Sequence, residues 1–440
     1  MLRTDATPLA SEPDGPLSLL RLPDAILAHI LRTLDAAALL SAMSVSRNLR
    51  ELIAAEELVL SLAEQHTWAV RRREDEAPLS LLKRVTLGAR THALLVVGGE
   101  NEEADSDDED SDNEEEISTS VLTFDPIREE WLPRGATAPT VVGRNAAAVA
   151  SDGSTVFALG GWGISDDLEA WDGPNDPAYA ASRSVERLYW SNPRLEPGGG
   201  EVWDEVVNLR LDEGRCFPAA ACDGCGRLWV AGGGDSPCRG ATTLGSVAWA
   251  DCTPEAFCDE QSLGGLAAWH EAGQLKVARC GLSLAADARR PELVLVGGYS
   301  GGPTDDTYEC TAEVFDMGTG RSRYLPDMAC PRSGPGVGSG PDGALYVVGG
   351  SPDGGVMLSD AERYDPREGR WQRLPPLPTA RGYLAACFDL VRGNLHAAGG
   401  CSSIGQPLDA FECFDRAAGK WRVLPPMPQA RANLAMTSVM

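Results

Sequence analysis

The sequence has few of the residues that bind metals, and it lacks the common nucleotide-binding and nucleophile motifs. Five histidines are scattered along the chain: His29, His66, His92, His270 and His396. Because a metal centre needs several ligands at one point, this dispersal argues against a histidine-based metal site. No Walker loop, nucleophile elbow or dinucleotide fingerprint occurs. We therefore predict a non-catalytic protein with no cofactor and no metal.

Long apolar runs are also missing. No stretch approaches the roughly 20 apolar residues that cross a bilayer, and none near the start has the length of a secretion signal. We therefore expect no membrane association and a cytoplasmic or nuclear location, where the twelve cysteines remain free thiols. The formal net charge of −27 disfavours nucleic-acid binding.

The most regular feature of the sequence is a Gly-Gly doublet that recurs six times, at intervals of 50 to 72 residues. Such spacing is typical of repeat proteins. Each doublet closes a short apolar run, such as LLVVGG or LYVVGG, which predicts a buried strand. The doublets are Gly98-Gly99, Gly160-Gly161, Gly232-Gly233, Gly297-Gly298, Gly349-Gly350 and Gly399-Gly400.

Three further segments accompany the doublets. A strand rich in small residues and opening with arginine precedes most of them, a third strand follows, and a fourth usually carries tryptophan, as in GRWQRLPPLP. Small residues are expected where several sheets converge on one axis. Four strands in each of six repeats predict a β-propeller with six blades.

The arginine, Asp-Gly turn, Gly-Gly doublet, aromatic-Asp pair and tryptophan together resemble the kelch repeat over residues 91–440. The resemblance implies a mainly β fold, a six-bladed kelch-type β-propeller. The first repeat lacks its inner strand, whereas a surplus segment follows the last repeat. We expect residues 431–439 to close the ring as the inner strand of blade one, because closure removes exposed sheet edges.

The first 90 residues have a helical pattern. Residues 1–16 are expected to be disordered, residues 17–60 predict a small all-α domain, and residues 61–90 predict a helical connector. The Leu-Pro opening, the Ile/Leu pairs and the closing VSRNLR resemble an F-box that lacks the usual Cys and Trp of its close. A helical bundle that only packs against the ring is the alternative. The resemblance implies that a Skp-type adaptor binds Leu22, Pro23, Ile26, Ile30, Leu31 and Leu34.

The two resemblances together imply the substrate-recognition subunit of a Skp/cullin/F-box ubiquitin ligase. In that family the F-box joins the adaptor and, through it, a cullin scaffold, while a second domain captures the protein substrate. Two alternatives remain open: a kelch interaction scaffold without a ligase role, and a metal-dependent kelch-propeller enzyme. Recovery of the adaptor and of bound metal would separate them.

The repeat register predicts which face of the ring binds the substrate. The loops after the doublets and the returns to each arginine share one face, where all long insertions are expected: 100–117, 162–183, 234–242 and 299–311. A structural role is the alternative for the arginines, because a residue repeated in every blade often bonds backbone carbonyls. The expected binding residues are Arg144, Arg215, Arg279, Arg332, Arg381 and Arg431 around the channel mouth, with Trp162, Trp171 and Tyr299 as aromatic anchors.

Residues 100–116 form an insertion with 12 acidic and no basic side chains, a composition that predicts disorder. Three roles remain open: a solubilising segment, an electrostatic lure for a basic partner, and a phosphorylation target at Ser106 and Ser111.

Cysteines in the third repeat raise a separate possibility. Cys222 and Cys225 have zinc-knuckle spacing, yet they coincide with the predicted turn of that repeat. Cys238, Cys252 and Cys258 lie in the same blade and leave a zinc site open.

Overall fold

A computed structural model describes residues 92–101, 116–162, 181–190, 202–223, 225–236, 242–252, 269–286, 290–302, 305–403 and 406–439. The expected disordered N-terminus, F-box-like domain and connector lie outside these residues, as does most of the acidic insertion. Among the described residues, no helix is long and apolar enough to cross a membrane.

Six four-stranded antiparallel sheets make up the described part of the chain. The innermost strand of each sheet adjoins the innermost strands of the next and the previous sheet, and the sixth adjoins the first. The predicted mainly β fold with six propeller blades is therefore confirmed.

Each blade runs from an innermost strand at the axis to an outermost strand at the rim. From blade one to blade six, the innermost strands are Ala435–Val439, Ala148–Ser151, Ala219–Cys222, Ser283–Ala286, Gly336–Ser339 and Ala385–Phe388. The second strands, which end at the doublets, are Ala93–Val97, Thr155–Leu159, Arg227–Ala231, Glu292–Val296, Leu345–Val348 and Leu395–Ala398. The third strands are Leu122–Asp125, Val185–Tyr189, Ser246–Asp251, Ala312–Asp316, Ala361–Asp365 and Phe411–Asp415. The outermost strands are Glu130–Trp131, Asp204–Glu205, His270–Gln274, Arg321–Tyr324, Arg370–Leu374 and Lys420–Val423.

Short two-stranded ribbons extend beyond three of the doublets. They pair Glu100–Asn101 with Glu116–Ile117, Tyr299–Gly302 with Asp305–Tyr308, and Cys401–Ser403 with Gln406–Pro407. A 3-10 turn, Val207–Leu209, follows the outermost strand of blade two.

Close packing at the axis explains the small residues of the innermost strands. A Cβ atom added to Gly338 would lie 2.9 Å from side-chain atoms of Leu395 and Phe388 in blade six. Larger side chains would separate neighbouring blades, because such contacts are shorter than van der Waals distance.

The last strand of the chain completes blade one. Val439 lies opposite Ala93, and Ala435 lies opposite Val97, in an antiparallel pair. His92, just before the first strand, secures this pair: its Nδ1 lies 2.7 Å from the Val439 carbonyl oxygen, and its Nε2 accepts the backbone N–H of Leu390 at 3.1 Å. One side chain therefore joins the end of the closing strand to blade six.

Tryptophans on the outermost strands pack between blades. Each indole N–H donates to a carbonyl of the segment that leaves the preceding blade. The bonds join Trp131 to Pro425, Trp371 to Pro326 and Trp421 to Pro375, at 3.0, 2.7 and 2.9 Å.

The expectation that every long insertion shares one face is wrong. In blades two and three, the third and fourth strands are joined by residues 190–203 and 252–269. Adjacent antiparallel strands alternate in direction, so these connections leave from the end opposite the doublets. Long connections therefore occur on both faces of the ring.

Candidate functional site

Each doublet holds the arginine that begins the next blade. The backbone N–H of Gly99 donates to the carbonyl oxygen of Arg144 at 2.8 Å. Gly98 has a φ of 68°, and a Cβ atom there would lie 2.4 Å from the same oxygen. Only glycine fits this approach. The same bond joins Gly161 to Arg215, Gly233 to Arg279, Gly298 to Arg332, Gly350 to Arg381 and Gly400 to Arg431.

The arginine side chain then returns to its own blade. Nη1 of Arg144 donates to the carbonyl oxygen of Gly160 at 2.8 Å, and Nη2 lies 2.6 Å from a carboxylate oxygen of Glu186. The series of arginine–doublet hydrogen bonds is completed in blade one, where Arg431 Nη1 donates to the Gly98 carbonyl at 3.1 Å. Doublet and arginine are thus two halves of one inter-blade joint.

Four blades supply a buried glutamate to this joint. In blades two and four its carboxylate also accepts backbone N–H groups of the segment entering the blade: Glu186 from Val141 and Glu313 from Lys276, each at 2.7 Å. Such a buried ion pair is tolerated because hydrogen bonds satisfy its charges. The pairs are Arg144–Glu186, Arg279–Glu313, Arg332–Glu362 and Arg381–Glu412.

Blades three and one place Ala248 and Leu122 where the other blades have this glutamate. Arg215 instead donates to the Ser246 hydroxyl at 2.7 Å and pairs with Glu213 at 3.0 Å. Arg431 contacts the Ser120 hydroxyl and the Gln429 amide oxygen. Burial lowers the pKa of Arg431 to about 10, and it also lowers the pKa of Arg215.

The six arginines do not line the channel mouth. Their exposed fractions range from 0% for Arg431 to 4% for Arg215, and each guanidinium donates to oxygen atoms inside the ring. Burial thus contradicts their expected place as substrate-binding residues and supports the structural alternative.

The mouth is formed instead by the residues that lie two positions after each arginine. All six have a positive φ, between 50° and 61°. The backbone N–H of each donates to the carbonyl oxygen of its counterpart in the preceding blade, at 2.8 to 3.1 Å, so six hydrogen bonds form a closed circle. In chain order the members are Ala146, Phe217, Gly281, Gly334, Tyr383 and Asn433.

Two aromatic side chains span this circle. Phe217 and Tyr383 occupy opposite positions, and their ring centroids lie 6.4 Å apart at an interplanar angle of 59°. The Tyr383 ring lies against Gly334, since a Cβ atom there would be 2.6 Å from its Cδ1, while Ala146 and Asn433 bound the other side. All of these residues line a channel cavity of about 150 Å³. Burial raises the pKa of Tyr383 to about 12, so its hydroxyl stays neutral.

A carboxylate lies beside the Asn433 side of the mouth. Glu100 accepts the side-chain amides of Asn433 at 2.8 Å and Asn145 at 2.5 Å. It also begins the ribbon of blade one, where it pairs with Ile117. The acidic insertion therefore leaves and re-enters the ring next to the channel mouth.

Two of the expected aromatic anchors lie on the doublet face. Trp162 and Tyr299 each follow a doublet and bridge the residue after an arginine, Asn145 and Cys280 respectively. Both side chains are half-buried. Trp171 and the expected adaptor-binding residues lie outside the described part of the chain.

Sequence reasoning missed Phe217, Tyr383, Asn433 and Glu100. Their signal was positional, since the first three stand two residues after an arginine and Glu100 follows a doublet. Because the residue type differs between most of the blades, no repeated letter marks these positions.

His92 and His396 are far apart in the sequence, yet both lie near Asp389. His396 Nε2 lies 3.3 Å from a carboxylate oxygen of Asp389, and the charges of both groups affect His92. Even so, no group of three possible metal ligands occurs within the described ranges. Burial raises the pKa of the Cys222 and Cys252 thiols, while Cys238 and Cys258 lie outside those ranges.

Two family models match segments of the chain. The kelch motif matches residues 331–378 and 390–428, and the F-box domain matches residues 19–60. No curated protein matches the sequence. A solved structure titled "Structure of YjhT" is similar with a TM-score of 0.51 and 15% identity, over 68% of this chain and 88% of that one. At this identity the likeness concerns the fold alone.

F-box and kelch domains are typically non-catalytic modules that bind other proteins. Here the F-box match precedes a six-bladed ring that contains kelch motifs. The order of the two matches is consistent with an F-box/kelch-repeat protein.

Proposed function

We propose that this chain is the substrate-recognition subunit of a Skp/cullin/F-box ubiquitin ligase. The observation that carries the proposal is the F-box match at residues 19–60, which lies on the same chain as the six-bladed ring. An F-box supplies the link to an adaptor, and the ring supplies a rigid surface for a second protein.

The F-box and the ring bind different partners. The F-box docks a Skp-type adaptor, and through it a cullin scaffold, by Leu22, Pro23, Ile26, Ile30, Leu31 and Leu34. The doublet face of the ring binds a protein substrate, because binding residues usually lie on loops held by a rigid scaffold. The chain acts as a non-catalytic subunit of the cytoplasm or nucleus, without a cofactor.

Co-purification with a Skp-type adaptor tests the proposal. The full chain is co-expressed with the adaptor, alongside Ile26→Asp and Ile30→Asp, which place charge on the predicted apolar surface. Arg32→Glu is the matched control, because helical spacing puts Arg32 on the opposite side of the predicted helix. We expect the adaptor with the wild type and the control, and its loss with both aspartate variants.

Absence of the adaptor from a folded wild-type preparation would contradict the ligase assignment and favour an interaction scaffold. Metal analysis of the same preparation addresses the enzyme alternative. A stoichiometric bound metal would contradict the non-catalytic assignment.

A further inference from the structure

We propose that the channel mouth takes a basic side chain of the protein substrate, held between the Phe217–Tyr383 pair and the carboxylate of Glu100. This inference rests on the proposed function and names the chemistry of its substrate. The basic group lies on the side of the mouth bounded by Ala146 and Asn433.

The charge at the mouth favours a cation. Every described residue that lines the channel cavity is uncharged, and the nearby arginines are buried in their joints. Glu100 brings a carboxylate within hydrogen-bond distance of Asn433, which lines that cavity. An acidic substrate would meet no basic partner in the described cavity wall, whereas a basic one meets a carboxylate at its rim.

The aromatic pair favours the same ligand. A guanidinium or ammonium group is attracted to the face of an aromatic ring, and more strongly where water is partly excluded. Phe217 and Tyr383 present two rings across the mouth, with centroids 6.4 Å apart.

The size of the cavity favours a single side chain. Its volume of about 150 Å³ is below the roughly 300–1,000 Å³ of pockets that enclose small-molecule ligands. Alanine and glycine make up much of its wall, so it is narrow and smooth. One lysine or arginine side chain fits the mouth of such a space, with its charged group at the rim beside Glu100 and its backbone outside on the doublet face.

The acidic insertion adds long-range attraction for the same class of partner. Residues 102–115 contain ten acidic side chains, and both ends of this segment are fixed in the ribbon at Glu100 and Ile117. A concentration of one charge beside a binding site raises the association rate of oppositely charged ligands, and salt weakens the effect. The electrostatic lure is therefore the role that we propose for the insertion.

Fluorescence anisotropy with labelled hexapeptides tests the site on the full chain. The probes are hexa-arginine, hexa-citrulline, which has a similar shape without charge, and hexa-glutamate. We expect saturable binding of hexa-arginine alone, weaker at high salt. Binding of hexa-citrulline or hexa-glutamate as tight as that of hexa-arginine would overturn the proposal.

Variants at the mouth localise the binding. Phe217→Ala and Tyr383→Asn each install a residue that another blade already has at the same position, Ala146 or Asn433. We expect each of them, and Glu100→Gln, to weaken hexa-arginine binding about tenfold, the loss expected from one partly desolvated cation–π or charged contact. Tyr383→Phe should retain binding, and Glu130→Gln, on the outer strand of blade one, is the matched carboxylate control. Phe217→Leu keeps apolar volume without the aromatic face, so it replaces Phe217→Ala if that variant melts early.

A variant with the acidic residues of 102–115 changed to Asn and Gln separates the mouth from the insertion. We expect weaker binding that still depends on Phe217 and Glu100. Binding that disappears with the insertion and ignores the mouth variants would overturn the proposal. Adaptor recovery is measured on the same proteins: hexa-arginine binding without the adaptor contradicts only the ligase assignment, and adaptor recovery without hexa-arginine binding contradicts only this site.

Discussion

A Cβ atom on Gly349 would lie 2.4 Å from the carbonyl oxygen of Arg381. The two residues belong to neighbouring blades, five and six, and the backbone N–H of Gly350 donates to that same oxygen at 3.0 Å. The approach sets the spacing between these blades at the doublet face. Its repetition explains why a Gly-Gly doublet and an arginine recur together in the sequence.

Replacing Gly349 with alanine should destabilise the ring strongly. Gly369→Ala is the control, because Gly369 has nearly the same φ, 65° against 62°, but open space around it. The control should lower the free energy of unfolding by about 1–2 kcal/mol, from backbone strain alone. Gly349→Ala should cost about 1–3 kcal/mol more, because blade six must shift. Urea unfolding of both variants measures the difference, and equal effects would show that the close approach is unimportant.

Removal of a buried glutamate should leave its arginine as an unpaired charge. Glu362→Ala tests this prediction in blade five, where Glu362 lies 2.7 Å from the fully buried Arg332. We expect a loss of about 3–5 kcal/mol in the free energy of unfolding, measured by urea denaturation. The control is Glu368→Ala, which breaks an exposed pair with Arg370 and should cost less than about 1 kcal/mol.

A double replacement tests the physical reason for that loss. Changing Arg332 to Met and Glu362 to Leu removes both charges while keeping apolar volume, so stability should recover relative to Glu362→Ala. If the double variant is instead less stable than Glu362→Ala, the ion pair stabilises the ring by more than keeping Arg332 from being an isolated buried charge.

Acid should loosen the ring at its closure. Burial lowers the pKa of His92 below 6.5, and nearby His396 lowers it further, while Asp389, Asp125 and the Val439 carbonyl oppose the shift. The unfolded chain therefore binds the proton more readily, so stability from neutral His92 is complete above about pH 6.5 and decreases as pH falls. A protonated ring also cannot accept the Leu390 N–H.

Asparagine at position 92 removes the titration and keeps a donor and an acceptor. Urea unfolding at pH 7 and pH 5 should show a smaller loss on acidification for His92→Asn than for the wild type. His270→Asn, at an exposed histidine, should leave the pH dependence unchanged. The same slope in all three proteins would exclude His92 as the source.

Deletion of residues 431–440 should abolish the closed ring. The deletion removes the innermost strand of blade one and the arginine that bonds the Gly98 carbonyl, which exposes a strand edge. We expect aggregation or loss of cooperative melting, followed by light scattering and calorimetry. Deletion of Met440 alone is the control, and unchanged melting of the longer truncation would contradict closure.

Much of the fold could be predicted because the repeats are redundant. Six doublets in phase with arginines and tryptophans indicate the blade number, and the surplus segment at Arg431 indicates how the ring closes. The binding residues were harder to predict, because a residue type that recurs in every blade indicates a role in packing the blades. Repetition alone therefore does not separate a binding role for Arg144 and its counterparts from the structural role that their burial supports.

The residues of the channel mouth differ between blades because packing between the blades does not determine their side chains. Their backbone conformation is shared, while side chains such as Phe217 and Asn433 project where the scaffold does not constrain them. The long connections of blades two and three on the opposite face were not predicted, because the doublets mark only one end of each blade.

We expect one chain to bind a Skp-type adaptor and a basic substrate segment at separate places. Native mass spectrometry of the full chain, mixed with the adaptor and hexa-arginine, tests it most directly. We expect a complex that contains one copy of each, which loses the adaptor alone with Ile26→Asp and retains the adaptor but binds the peptide about tenfold more weakly with Phe217→Ala. Absence of the adaptor-bound species from a folded chain would contradict it.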